Sequence, residues 1–235
     1  MIRKLLFLYV FLVALKSNAQ HTLYLFPGQG SDSAIFSKMS FPDSFELKYI
    51  ALPTPDQGEM LPEYAQRFIP QIDTSEPFSL IGVSLGGMIC VELADMLDPE
   101  NVILISSAKC AAELPNRYRF QQKVRLNRIV PAAWYKIGAL FLQPIVEPDR
   151  NKEKATFKRM LKSKDKIYMK RAVDMIINWN RETYSEDIIH IHGDNDNTIP
   201  IMNVKPTITI KEGSHMMALT RGGEIGKLIV ATLTN

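Results

Sequence analysis

No long Ser-, Gly- or Gln-rich tract and no internal repeat interrupts this 235-residue sequence, which excludes a disordered chain and a solenoid. Cysteine is scarce, with Cys90 and Cys110 the only two. Cys90 falls on an apolar helix face and Cys110 just after a strand, so both read as free, packed thiols, although export permits a disulfide. Neither has the His-poised setting of a cysteine nucleophile. Histidine is also sparse, at four residues, which narrows any search for a base. Beyond the first twenty residues there is no second apolar stretch of membrane-spanning length. The rest is ordinary for a globular protein: 46% hydrophobic and 23% charged. The length suits one α/β domain with a sizeable core rather than two large ones.

The N-terminus stands apart. Arg3 and Lys4 precede an apolar run from Leu5 to Leu15, and Ser17 and Ala19 supply the small residues of a signal-peptidase site. The run is short for a transmembrane span. The expectation is a signal peptide over 1–19, cleaved near Ala19, and a periplasmic or secreted product over 20–235; an uncleaved membrane anchor is the lesser alternative.

Short β-rich runs recur along the mature chain at Thr22–Phe26, Leu47–Leu52, Phe78–Val83, Val102–Ile105, Ile188–Ile191 and Thr207–Ile210. Helical patterns follow at Glu59–Ile69, Leu85–Leu97 and Gly223–Leu233. Apolar strands alternating with helices imply an α/β fold: a doubly wound, mostly parallel sheet of about six strands with helices on both faces. Between about Lys109 and Tyr184 the pattern is helical with no convincing strand. That is too long for a loop, so a helical insertion is expected. It is also basic: Lys109–Arg171 holds seventeen Lys or Arg against five Asp or Glu, whereas the whole chain carries only +3. Lysine-solvated helix faces account for most such excesses; attraction to an anionic substrate or a membrane surface is the sharper reading. Trp134, Tyr135 and Phe141 are expected to line the underside of this insertion rather than to stack on bases, so nucleic acid is not an expected partner.

The strongest chemical signal is Gly82-Val83-Ser84-Leu85-Gly86-Gly87, placed between a strand and an apolar helix. A serine on such a tight turn projects its hydroxyl from the sheet edge, and glycines two positions either side avoid collision with strand and helix. The Leu85 amide, at a helix N-terminus, can donate to a developing oxyanion. A serine hydroxyl needs a base. Among the histidines, His21 begins the first strand, and His190 and His192 alternate along the fifth with an expected structural role. His215, in Gly213-Ser214-His215, lies on the loop after the last strand and opens at the same sheet edge as Ser84. The base in turn needs an acid. Asp194 and Asp196 share the loop after the fifth strand; Asp196 is preferred because Asp-x-x-Ile-Pro sets it one turn before a proline-started segment, with Asp194 as turn former.

The order Ser84, Asp196, His215 resembles that of the α/β-hydrolase superfamily, and Gly193-Asp-Asn-Asp196-Asn-Thr-Ile-Pro200 resembles its Gly-x-x-Asp-x-x-Val-Pro loop. The likeness runs from Thr22 to the closing helix. It implies that the insertion is a cap over the active site. It also implies that Phe26-Pro27-Gly28-Gln29-Gly30 corresponds to the family's His-Gly-x oxyanion loop, with the Gln29 amide as second donor and Pro27 in place of the usual His. The expected activity is that of a serine hydrolase: cleavage of a small-molecule carboxylic ester, with a thioester or amide as variants and an anionic substrate as one option, through an acyl-enzyme and with no metal or cofactor. Two other readings remain. Phe26-Pro-Gly-Gln-Gly-Ser31 also resembles the opening of malonyl-type acyltransferases, but Gly87 stands where they carry Glu. His190-Ile-His192-Gly-Asp194-Asn195 resembles a His-x-His-x-Asp-His metallohydrolase motif that lacks its final His.

Overall fold

A computed structural model describes residues 20–124, 130–135, 137–138, 149 and 151–234. The expected signal peptide over 1–19 and Phe141 lie outside the described residues. Six strands form one sheet: β1 (His21–Phe26), β2 (Phe45–Tyr49), β3 (Phe78–Val83), β4 (Asn101–Ile105), β5 (Ile189–Gly193) and β6 (Ile208–Ile210). Their order is β2-β1-β3-β4-β5-β6, and every neighbouring pair is parallel. From β1 the chain winds first to β2 and then back across to β3. The crevice at the C-terminal ends of β1 and β3 is therefore the topological switch point, where open α/β sheets bind ligands.

Strand residues alternate between two cores. Tyr24, Phe26, Leu80 and Leu104 face one side, where α1 (Leu61–Gln66) and α2 (Leu85–Leu97) pack. Leu23, Leu25, Ile81, Val83, Ile103, Ile105 and Ile191 face the other, against the closing α7 (Gly222–Leu233) and the short α6 (Met217–Thr220) before it. Burial on both faces explains why these strands read as continuous apolar runs. The second strand lies earlier than the 47–52 run, ending at Tyr49; the Ile50 amide still reaches the Leu25 carbonyl at 2.9 Å before the chain turns into Pro53. The expected 59–69 helix divides into α1 and a 3-10 turn at Ile69–Gln71 that contains Pro70.

Between β4 and β5 the described residues hold α3 (Asn116–Val124), α4 (Lys154–Ser163) and α5 (Lys166–Ile177), and no strand. Leu161, Tyr168, Met169 and Met175 bring the insertion into the α2-side core. One expectation is corrected: Trp134 is 64% exposed, whereas Tyr135 packs on the core. Adjacent helical residues point about 100° apart, so one can face inward while the next faces solvent. Cys90 and Cys110 are buried and free.

The loops leaving β5 and β6 are locked together. Asn195 N–H donates to the Gly213 carbonyl at 3.0 Å and Asp194 N–H to the Ile210 carbonyl at 3.1 Å. A Cβ on Gly193 would overlap the Gly213 carbonyl oxygen. Gly193→Ala should therefore lower stability by at least about 2 kcal/mol in urea unfolding, as a clash with backbone cannot relax by rotamer change; an unchanged midpoint would show that these loops are not in contact.

Candidate active site

Ser84 sits between β3 and α2 with φ 53° and ψ −120°. That backbone region is disfavoured for a residue with a Cβ, by about 1–3 kcal/mol. It persists because the surroundings over-determine it. The Ser84 amide donates to the Ile105 carbonyl of β4 at 2.9 Å, and its carbonyl accepts from the amides of Gly87 and Met88 and from the Ser107 hydroxyl at 2.7 Å. Side chains at two flanking positions are impossible: a Cβ on Gly82 would overlap the Gly86 backbone, and one on Gly86 the Phe26 carbonyl. This close passage carries the turn after β1 beneath the serine.

His215 enters from the loop after β6. Its Nε2 lies 3.0 Å from Ser84 Oγ, and its Nδ1 lies 2.8 Å from Asp196 Oδ2. With Nδ1 protonated toward the carboxylate, Nε2 presents a lone pair to the serine hydroxyl. The second oxygen of Asp196, Oδ1, accepts the amides of Thr198 and Ile199, each at 2.8 Å. Asp196 is only 3% exposed. Burial works to raise its pKa, but His215, His192 and the Ile199 amide outweigh burial and hold the carboxyl below its ordinary value. Asp194 is exposed, and its Oδ1 accepts the Glu212 amide at 2.5 Å. Asp196 thus bonds His215, whereas Asp194 bonds the backbone of the loop after β6.

The turn after β1 closes on the same spot. A Cβ on Gly28 would come within 3.2 Å of Ser84 Cβ. Where the resemblance would place a His, Pro27 donates nothing; Ser31 instead holds the turn, its hydroxyl and amide both donating to the Gly28 carbonyl at 2.9 and 3.1 Å. The Gln29 side chain donates to the Met169 carbonyl of α5 at 3.0 Å, tying this turn to the insertion. Leu85 occupies the first position of α2, where an amide has no acceptor within its own helix. The Gln29 and Leu85 amides therefore both belong to segments that adjoin Ser84.

The remaining histidines make their hydrogen bonds elsewhere. His21, at the opposite end of the sheet, bonds Ser79 Oγ at 2.8 Å and pairs with Glu100. His192 Nδ1 lies 3.1 Å from His190 Nε2, and its Nε2 2.8 Å from the Ile199 carbonyl. With Asp194 turned to Glu212, the His190/His192/Asp194 set is not brought together, and among the described residues no group of three or more His, Cys, Asp or Glu could hold a metal ion. Sequence reasoning missed Ser107, Ser31 and the Gln29 side chain. Ser107 and Gln29 act on carbonyls far along the chain and Ser31 on one three residues back, and a bond to a backbone carbonyl leaves no residue pattern.

No family model and no curated protein sequence matches the chain. Solved structures do. The chain is similar to a hydrolase from Oleispira antarctica (TM-score 0.69, 15% identity, 92% of each chain covered). It is similar to an enol-lactonase from Burkholderia xenovorans (TM-score 0.67, 16% identity, 92% of each chain). A thermophilic esterase from Thermogutta terrifontis is also similar (TM-score 0.65, 13% identity, 91% of this chain and 89% of that one). The fold is that of the α/β hydrolases.

Burial holds His190 well below its ordinary pKa, aided by His192 and Lys109, and burial likewise lowers that of His192 despite Asp196. The folded protein therefore refuses protons that the unfolded chain accepts below about pH 6.5. Stability should be fully present above that pH and fall below it, by up to about 1.4 kcal/mol per unit for each histidine. Urea midpoints between pH 8 and 5 check this, and His190→Gln should show a shallower slope. A flat profile would contradict it.

Proposed function

We propose that this chain, with its α/β-hydrolase fold, is a serine hydrolase that cleaves a carboxylic ester through an acyl-enzyme. One observation carries the reading: the unbroken line from Ser84 Oγ to His215 Nε2 at 3.0 Å and from His215 Nδ1 to Asp196 Oδ2 at 2.8 Å. It stands at the switch-point edge of the sheet, where a substrate would enter.

In this reading Ser84 Oγ attacks the ester carbonyl carbon while its proton passes to His215 Nε2. Asp196 stabilises the resulting imidazolium and holds its tautomer. The tetrahedral oxyanion accepts from the amides of Gln29 and Leu85, whose dipoles are already fixed before charge develops. Collapse breaks the C–O bond, and the alkoxide leaves with the proton from His215. Water, deprotonated by His215, then attacks the acyl carbon and releases the acid and the free serine. The seventeen basic residues of Lys109–Arg171 support an anionic ester as substrate, and the apolar leader supports export.

Ser84→Ala should lower turnover of a short-chain nitrophenyl ester by roughly 10⁴-fold or more. Asp196→Asn should also cost orders of magnitude, because the amide favours the wrong tautomer of His215, whereas Asp194→Asn should stay near the native rate. Persistent turnover in Ser84→Ala sinks the nucleophile, and the opposite order of the aspartates sinks the acid.

A further inference from the structure

His190 and His192 are both fully buried, and neither has a part in the reaction described above. Two residues apart on β5, they share one face of the sheet, with ring centroids 4.9 Å apart. The protons on this pair can be placed by elimination. A carbonyl oxygen only accepts, so His192 Nε2, 2.8 Å from the Ile199 carbonyl, must carry hydrogen. Burial keeps His192 neutral, so its Nδ1 is a lone pair and takes the hydrogen of His190 Nε2 at 3.1 Å. The two imidazoles thus form a chain of one polarity, whose donating end is His192 Nε2–H.

That end also lies 3.4 Å from Asp196 Oδ2, the same oxygen that receives His215 Nδ1 at 2.8 Å. Asp196 is therefore flanked on both sides: two backbone amides on Oδ1, and on Oδ2 the His215 bond with the His192 ring 3.4 Å away. Its orientation is not free, and His192 simultaneously holds the Ile199 carbonyl of the loop that supplies one of those amides.

We propose that His192, polarised by His190, is a positioning residue for the triad: its Nε2–H holds the Ile199 carbonyl and brings positive charge within 3.4 Å of Asp196 Oδ2, fixing both the carboxylate's rotation and its pull on His215. This rests on the serine-hydrolase reading and deepens it. The groups facing the pair are Asp196 and His215 on the loops after β5 and β6, and Lys109 at the root of the insertion. The positive end of that N–H lowers the charge felt at Oδ2, so removing it leaves a more basic carboxylate that stabilises the protonated form of His215 more strongly. The acid limb of kcat/KM should then move to higher pH.

The test is the pH profile of nitrophenyl acetate hydrolysis by the full chain. His192→Leu should lower kcat by about 10- to 100-fold, leave KM within about twofold because the buried ring touches no substrate, and raise the acid limb by roughly half a pH unit. His192→Gln, whose amide nitrogen can stand where Nε2 stands, should recover most of both. An unmoved limb in His192→Leu, or a Gln variant no better than Leu, overturns the proposal. Should His192→Leu not fold, imidazole ¹⁵N spectra of the native protein decide: the proposal requires hydrogen on Nε2 of His192, and hydrogen on Nδ1 alone overturns it. Ser84→Ala in the same assay separates the two claims. If it stays active, the triad itself fails; if it is inactive while the His192→Leu limb is native, only the positioning role fails.

Discussion

A serine held at φ 53° opposes its own backbone preference, and that opposition must be met by its neighbours. Here they are β4 through the Ile105 carbonyl, α2 through two amides, and Ser107 through its hydroxyl. The same demand brings Gly82 and Gly86 against one another and against the end of β1. Once the elbow is set, Leu85 begins α2 and the turn at Gly28 is held against the serine. The geometry of the site is therefore largely a consequence of how β1, β3 and α2 meet.

Asp196 and His215 reach this elbow from two loops with little regular structure of their own. They are made rigid by one another: Gly193 against Gly213, Asn195 on the Gly213 carbonyl, and Asp194 on the Glu212 amide. Asp196 is a buried charge, and a buried charge is tolerated only with full compensation. The Thr198 and Ile199 amides and His215 supply it, with the His192 ring 3.4 Å from Oδ2. Loop docking and charge compensation thus serve one end, a carboxylate that has only one way to point.

Much of this was legible in the sequence. All six strands lay within a few residues of the apolar runs; β1, β3 and β4, buried on both faces, are the most continuously apolar, whereas β2 began two residues early. Ser84 was legible from its flanking glycines, Asp196 from its proline-terminated loop and His215 from its place after the last strand. The strand positions of His190 and His192 were visible, but their mutual bond was not, since it depends on ring rotation and tautomer. Ser31 and Ser107 were invisible, as a hydroxyl acting on a carbonyl has no sequence signature. Trp134 misled because aromatic character alone does not tell which side of a helix turn a ring occupies.

The central claim is that Ser84 is the atom that becomes acylated. Reaction of the purified protein with a fluorophosphonate, followed by peptide mass mapping, tests it most directly. One adduct per chain on the peptide containing Ser84, lost in His215→Ala, is the predicted result. An adduct on any other residue, or none on a protein that hydrolyses esters, would contradict the account.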